Sequence, residues 1–173
     1  DVFFTSFLPN QTITNANDIL SICVFMEHSY VGDLNFRIVC PNGQSDTLKE
    51  YIHWGGADMG IPGYPDEGCN PVNNPAGTPW SYCWSEIYPN IGTINANAGK
   101  PRLDSTDRTN NINYYLADEP FSNLVGCPLN GKWTIEICDK WAIDNGYIFE
   151  WTLNLSPELL PQAWGYTAEI DST

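Results

Sequence analysis

Basic residues are scarce in this chain: 7 lysines and arginines stand against 21 aspartates and glutamates among 173 residues, a formal net charge of -14. Such a surface repels the phosphates of nucleic acid and the headgroups of an anionic bilayer, so neither is an expected partner. Long apolar runs are missing too, and no stretch reads as a membrane insertion. With only 2 histidines, His28 and His53, a hydrolytic triad has few ways to form. Glu27, His28, Ser29 and Asp33 offer the right side chains. Ser29 follows His28 directly, however, where strand side chains point apart, and no G-x-S-x-G elbow exposes a nucleophile. Nothing singles out a carboxylate pair for glycoside hydrolysis. No catalytic residues are therefore expected. The chain opens at Asp1 without a basic and hydrophobic leader and reads as a processed or excised soluble piece.

What the chain has is period-two patterning broken by turn residues. Glycine (14) and proline (13) are scattered throughout, aromatics make up 13%, and no long run keeps helical period. This predicts an all-β sandwich. Strands are predicted over residues 19–26, 34–40, 47–52, 112–116, 132–138 and 147–155. In the fifth, Trp133, Ile135 and Ile137 alternate with polar residues; in the sixth, Tyr147, Phe149, Trp151, Leu153 and Leu155 form one face. Pro41, Asn42 and Gly43 predict a tight hairpin turn. Residues 53–111, rich in Gly, Pro, Asn and aromatics, read as an irregular insertion pinned by crosslinks. Residues 158–173 read as an extension or linker.

The six cysteines, Cys23, Cys40, Cys69, Cys83, Cys127 and Cys138, match neither zinc-finger nor CxxC spacing, and an even set favours disulfides in an oxidising compartment. Strand parity puts Cys23 and Cys138 on polar faces, so a Cys23–Cys138 bridge between neighbouring strands is one expectation. Cys40 shares its face with Leu34, Phe36 and Ile38 and needs a partner from the core side or a covering loop: Cys69, Cys83 or Cys127. Cys69 and Cys83 are the expected pins of the middle segment.

Two constellations carry chemistry. Asp33 begins a strand after a glycine turn, and Asp139 and Asp144 bracket the loop before the last strand. If these loop ends converge, three carboxylates with backbone carbonyls suit calcium, which takes about six to eight oxygen ligands. Glu27 and Asp18 are weaker additions. The alternative is that these carboxylates accept hydrogen bonds from turn amides. The middle segment also concentrates rings, Trp54, Tyr64, Trp80, Tyr82, Trp84 and Tyr88, beside Asp58 and Asp66. Exposed, they suit a glycan or protein ligand. The preferred reading makes them the segment's own small core.

The block His28–Leu34, HSYVGDL, followed by a strand and a P-N-G turn, and the block Asn130–Trp151, NGKWTIEICDKWAIDNGYIFEW, together resemble the P domain (homo B domain) of proprotein convertases and many secreted bacterial proteins. The resemblance runs from about Thr12 to Leu155. It implies a jelly-roll β-sandwich, similar to galactose-binding-like domains, that stabilises a protease or connects parts of a larger surface protein. It further implies that His28 is a hydrogen-bonding residue fixing the loop into the Gly32-Asp33 turn. The long cysteine-containing middle looks like variants in extracellular proteins of Bacteroidetes, pointing to a secreted or cell-surface bacterial setting. The expected partners are neighbouring domains of the same polypeptide. Sequons at Asn10 and Asn154, and D-[ST]-x triplets at Asp46, Asp104 and Asp171, are weak modification signals.

Overall fold

A computed structural model describes residues 1–64, 74–97, 114–141 and 143–161. Nine strands are described: β1 (Val2–Phe4), β2 (Ile19–His28), β3 (Leu34–Val39), β4 (Ser45–Lys49), β5 (Trp80–Trp84), β6 (Asn90–Thr93), β7 (Tyr114–Leu116), β8 (Gly131–Asp139) and β9 (Gly146–Leu155). The only α-helix among the described residues is one turn, α1 (Ile94–Asn97), so no described helix is long enough to cross a membrane. The strands form two sheets, a four-stranded one in the order β1-β8-β3-β4 and a five-stranded one in the order β6-β7-β5-β2-β9. Pairing is antiparallel except where β7 lies parallel to β5 and β6.

The alternating residues bury where their phase says they should. On β2, Ile22, Val24 and Met26 are at most 1% exposed; on β3, Leu34, Phe36 and Ile38 are at most 2% exposed. The partner strand β8 brings Ile137 opposite Phe36 and Ile135 opposite Ile38, while Arg37 meets Glu136 on the outer face at 3.6 Å. The two sheets share one core. Phe36 of the first packs against Trp84 of the second with ring centroids 5.4 Å apart, and Trp133 is fully buried with its indole N–H donated to the Leu129 carbonyl. At the β3–β4 hairpin, Gly43 adopts φ +88° and donates its N–H to Cys40 at 2.9 Å, as the P-N-G turn predicts.

Two expectations need correction. The first concerns the middle segment, which is not a mere insertion: β5 lies within it and sits beside β2 in the five-stranded sheet. Trp80, Tyr82 and Trp84 alternate with Ser81 and Cys83, a period-two signal hidden by the glycine- and proline-rich flanks. The last two patterned strands, β8 and β9, belong to different sheets. The second concerns the disulfides, which join Cys23 to Cys83 and Cys40 to Cys127, leaving Cys138 a free exposed thiol. Cys23 and Cys138 do face outward, but from opposite sheets, so the core stands between them. Cys40 takes the last of its three candidate partners. Cys69, like Asp66, Asp104 and Asp171, lies outside the described residues.

Asp46 on β4 is fully buried, with one carboxylate oxygen accepting from Asn123 at 3.1 Å and the other without a hydrogen bond. In the Asp46-Thr47-Leu48 triplet the hydroxyl residue, Thr47, is half-buried on β4. Burial, reinforced by Glu119 and Glu86 and opposed by the Asn123 hydrogen bond, pushes the Asp46 carboxyl from 3.8 up to about 7. The native state therefore holds a proton that the unfolded chain releases, so stability from this group is complete below pH 4 and is lost as pH rises through 7. Wild-type stability should fall by about 4 kcal/mol across that window. Urea titrations at several pH values should show a flatter profile for Asp46→Asn; an unchanged slope would remove the assignment.

Candidate functional site

Two of the crossings between the sheets, β2 to β3 and β8 to β9, occur at one corner. The chain leaves β2 at His28, turns through residues 29–33 and enters β3; it leaves β8 at Asp139, crosses through 140–145 and enters β9. Antiparallel registry places these four strand ends together, with His28 opposite Gly146 and Leu34 opposite Asp139. The two crossing loops then bond to each other: Ser29 N–H donates to Asn145 O at 3.3 Å and Lys140 N–H to Asp33 O at 3.0 Å. A third segment closes over them, as His28 and Met59 exchange backbone bonds of 2.9 and 2.7 Å and Val31 N–H donates to Ala57 O.

Gly146 makes the first contact possible. A Cβ there would collide with the Glu27 carbonyl and lie 2.9 Å from the His28 Cβ. Close approach, not a special backbone angle, is what this position demands. Gly146→Ala should cost about 1–3 kcal/mol and shift the His28 ring resonances. A variant as stable as wild type, with His28 unmoved, would contradict this.

Asp33, Asp139 and Asp144 come together at this corner. Asp33 is only 4% exposed, and its carboxyl lies within hydrogen-bonding reach of that of Asp144. Burial raises the Asp33 pKa, as do the Asp144 hydrogen bond and the charges of Asp144 and Asp139. Asp144 accepts from the Ser29 hydroxyl at 3.5 Å, and Asp139 caps the next turn through Trp141 N–H at 2.8 Å. Among the described residues, no three His, Cys, Asp or Glu side chains are disposed around one metal position. Glu27 and Asp18 do not join the set. Glu27 is fully buried and accepts from Gly77 N–H at 3.3 Å. Asp18 precedes the other end of β2, a strand of 10 residues, ~33 Å away. There its carboxylate accepts from Thr14 N–H and hydroxyl and from Asn15 N–H.

His28 is 3% exposed. Its Nδ1 accepts the Tyr30 N–H at 3.0 Å, which assigns the proton of the neutral ring to Nε2. Burial lowers the His28 pKa against the opposing pull of Asp139 and Asp144, and so favours that neutral form. Nε2 makes no hydrogen bond and faces the Asp139 carboxylate at 3.6 Å. His28 thus does fix the loop through Tyr30, and it also keeps an unused donor. Its neighbour Ser29 is engaged with Asp144 instead.

Two clefts share Asp144. One, of about 390 Å³, has Met26, Leu34 and Ile137 as apolar lining with His28, Asp139 and Asp144 as polar groups. The other, of about 240 Å³, is lined by Tyr30, Asp33, His53, Trp141 and Asp144. In the second, the His53 and Trp141 rings lie 5.0 Å apart, and the Tyr51 hydroxyl meets His53 Nδ1 at 2.5 Å.

The middle-segment rings offered as an alternative ligand platform are divided between core and surface. Tyr82 and Trp84 are core residues at 2% and 0% exposure, Trp80 is half-buried, and Trp54 alone of the four is exposed. Tyr88 packs on Tyr114 with centroids 4.7 Å apart, and Tyr64 is exposed. The rings that do stand beside carboxylates, Tyr30, His53 and Trp141, were not grouped by sequence reasoning. The spacing Asp139-Lys140-Trp141-Ala142-Ile143-Asp144 was the available signal. Scanned against protein-family models, curated proteins and solved structures, the chain gives no match, so its functional reading rests on this geometry and on its own motifs.

Proposed function

We propose that this chain is a non-catalytic accessory β-sandwich of a secreted or cell-surface bacterial protein, of the jelly-roll, galactose-binding-like kind found in P domains, which stabilises or connects neighbouring domains. The observation that carries this reading is the mutual bonding of the two P-domain-like blocks: the His28–Leu34 loop and the Asp139–Gly146 loop interlock through Asp33, Asn145, Ser29 and Lys140. Residues far apart in the chain and matched to one family pattern are thereby joined in one structural unit. The engagement of Ser29 with Asp144 and of His28 Nδ1 with the Tyr30 amide supports a structural rather than a nucleophilic role. Two disulfides fit an oxidising compartment. Deleting this domain from its parent polypeptide should lower the melting temperature of the neighbouring domain. An unaltered melting profile for that neighbour would argue against the reading.

Calcium at the corner is a second reading, favoured by the juxtaposition of the Asp33 and Asp144 carboxylates. Asp33, Asp139 and Asp144 would hold the ion, whose charge would offset the repulsion between them. A calcium-dependent rise in melting temperature, abolished in Asp33→Asn, Asp139→Asn and Asp144→Asn, is the expected result. A melting curve indifferent to calcium and chelator would discard it. An adhesion role for the aromatic middle segment is the weaker alternative, since Tyr82 and Trp84 are in the core.

A further inference from the structure

We propose that the free edge of β9 is a docking site for an extended segment of a partner polypeptide, basic in net charge, which pairs with it as an added strand. The other sheet edges among the described residues are short or closed. β1 and β6 have 3 and 4 residues, and β4 is covered by Asp118 and Glu119, whose N–H groups donate to Leu48 O and Thr47 O at 3.3 and 3.0 Å. Their carboxylates take up two more groups of that edge, accepting from Glu50 N–H at 2.6 Å and Thr47 N–H at 2.9 Å. By contrast β9 is 10 residues long, with β2 on one side and no described strand on the other. It carries no lysine, arginine or proline to guard that edge. A bulge beside Phe25 and Met26 interrupts one end, but Glu150 to Asn154 keep unbroken register with Phe25 to Ser21.

The row of backbone groups along a sheet edge is matched by another extended strand and by little else. Side chains strengthen the match. Trp151 and Leu155 pack on the core yet stay half-buried, because the sheet ends at their strand. Apolar residues at alternate positions of an added strand would complete their burial. At the other end of β9 a cleft of about 390 Å³ lies between the sheets, with Met26, Leu34, Ile137 and Ile148 as its apolar lining. Ile148 is 51% exposed there. One apolar side chain of the added strand has a socket in that cleft.

Charge chooses between the strands that could sit there. The chain carries -14, with 21 acidic residues against 7 basic ones, and the one charged residue on β9 is Glu150. A second copy pairing β9 with β9 would set two such surfaces side by side, and repulsion opposes it. A segment carrying lysine or arginine is drawn to the same surface. On the outer face, Glu150, Thr152 and Asn154 share a groove of about 210 Å³ with Phe25. The stem of a basic side chain would lie there beside an aromatic ring. This inference rests on the reading of the chain as a domain that contacts other polypeptides. Peptide binding reports on the edge alone, whereas domain deletion reports on that wider role, so either can fail without the other.

The test titrates the ¹⁵N-labelled 173-residue chain with acetyl-Lys-Val-Lys-Val-Lys-Val-Lys-amide, its glutamate counterpart and a counterpart with proline in place of valine. Saturable shifts centred on β9 are expected with the lysine–valine peptide, and binding about tenfold weaker with the other two. The glutamate peptide reverses the charge; the proline peptide keeps the charge but cannot pair as a strand. Alternate amides within residues 150–154 should exchange about tenfold more slowly in the complex. Thr152→Lys, which puts a guarding charge on the edge, should weaken binding about tenfold with the remaining spectrum unchanged. Ser122→Lys makes the same charge change at an exposed position beside β4 and should leave binding intact. If Thr152→Lys does not fold, the exchange pattern decides. Equal binding of either counterpart peptide, slowed exchange away from β9, or full binding by folded Thr152→Lys would overturn the proposal. So would a stable dimer of the chain in sedimentation whose β9 amides are already protected without peptide.

Discussion

Removing the Cys40–Cys127 bridge by paired alanine substitution should destabilise the protein by about 4–5 kcal/mol, enough to leave much of it unfolded at physiological temperature. The bridge spans 87 residues of sequence, so its loss frees a long loop in the unfolded chain. Both half-cystines are also buried, at 3% and 0% exposure, so the substitution removes packing as well as a crosslink. The Cys23–Cys83 bridge has a similar loop term across 60 residues, but it joins β2 to a strand already paired with it, and Cys23 is only partly buried. Its removal should therefore be the milder of the two. Urea unfolding of both double variants would measure the difference. A loss under about 1 kcal/mol for the Cys40–Cys127 pair would mean that the bridge does not constrain the unfolded ensemble.

Trp84→Ala is expected to cost about 3–5 kcal/mol, against less than about 0.5 kcal/mol for Trp54→Ala. The contrast follows from placement, since Trp84 is fully buried between the sheets against Phe36 and Trp54 is 66% exposed. Truncating Trp84 opens a cavity where the sheets meet, and strands on both sides limit collapse into it. Guanidinium melts of the two variants test this directly. Near-equal midpoints would refute the assignment of β5 to the shared core and return its tryptophans to a surface role.

These two cases mark where local patterning is informative. The inward faces of β2, β3 and β8 were legible because alternation is a property of each strand alone. Ile22, Val24, Leu34, Phe36 and Trp133 carry it without interruption, and each is buried as its phase requires. On β9 the reading was less complete. A bulge beside Phe25 and Met26 shifts the pairing, and Phe149 and Ile148 are both exposed at 47% and 51%. An extra residue breaks the phase that the pattern assumes. β5 escaped notice because five residues flanked by turn formers look like loop until a neighbouring strand pairs with them.

The corner divides the same way. Asp33, Asp139 and Asp144 were recognisable as a set because each lies at the edge of a patterned strand. Tyr30, His53 and Trp141 were not, because their proximity depends on how three loops stack.

The amino-acid order alone determined the β character of the chain, its acidic surface and which face of each principal strand turns inward. Those are consequences of side-chain chemistry and a two-residue period. Only the tertiary structure decided which strands share a sheet, and with it that Cys23 meets Cys83 rather than Cys138 and that the crossing loops bring three carboxylates and three rings to one corner. Phase is written residue by residue, whereas pairing is a competition among all strands for partners, settled by burial of the whole core.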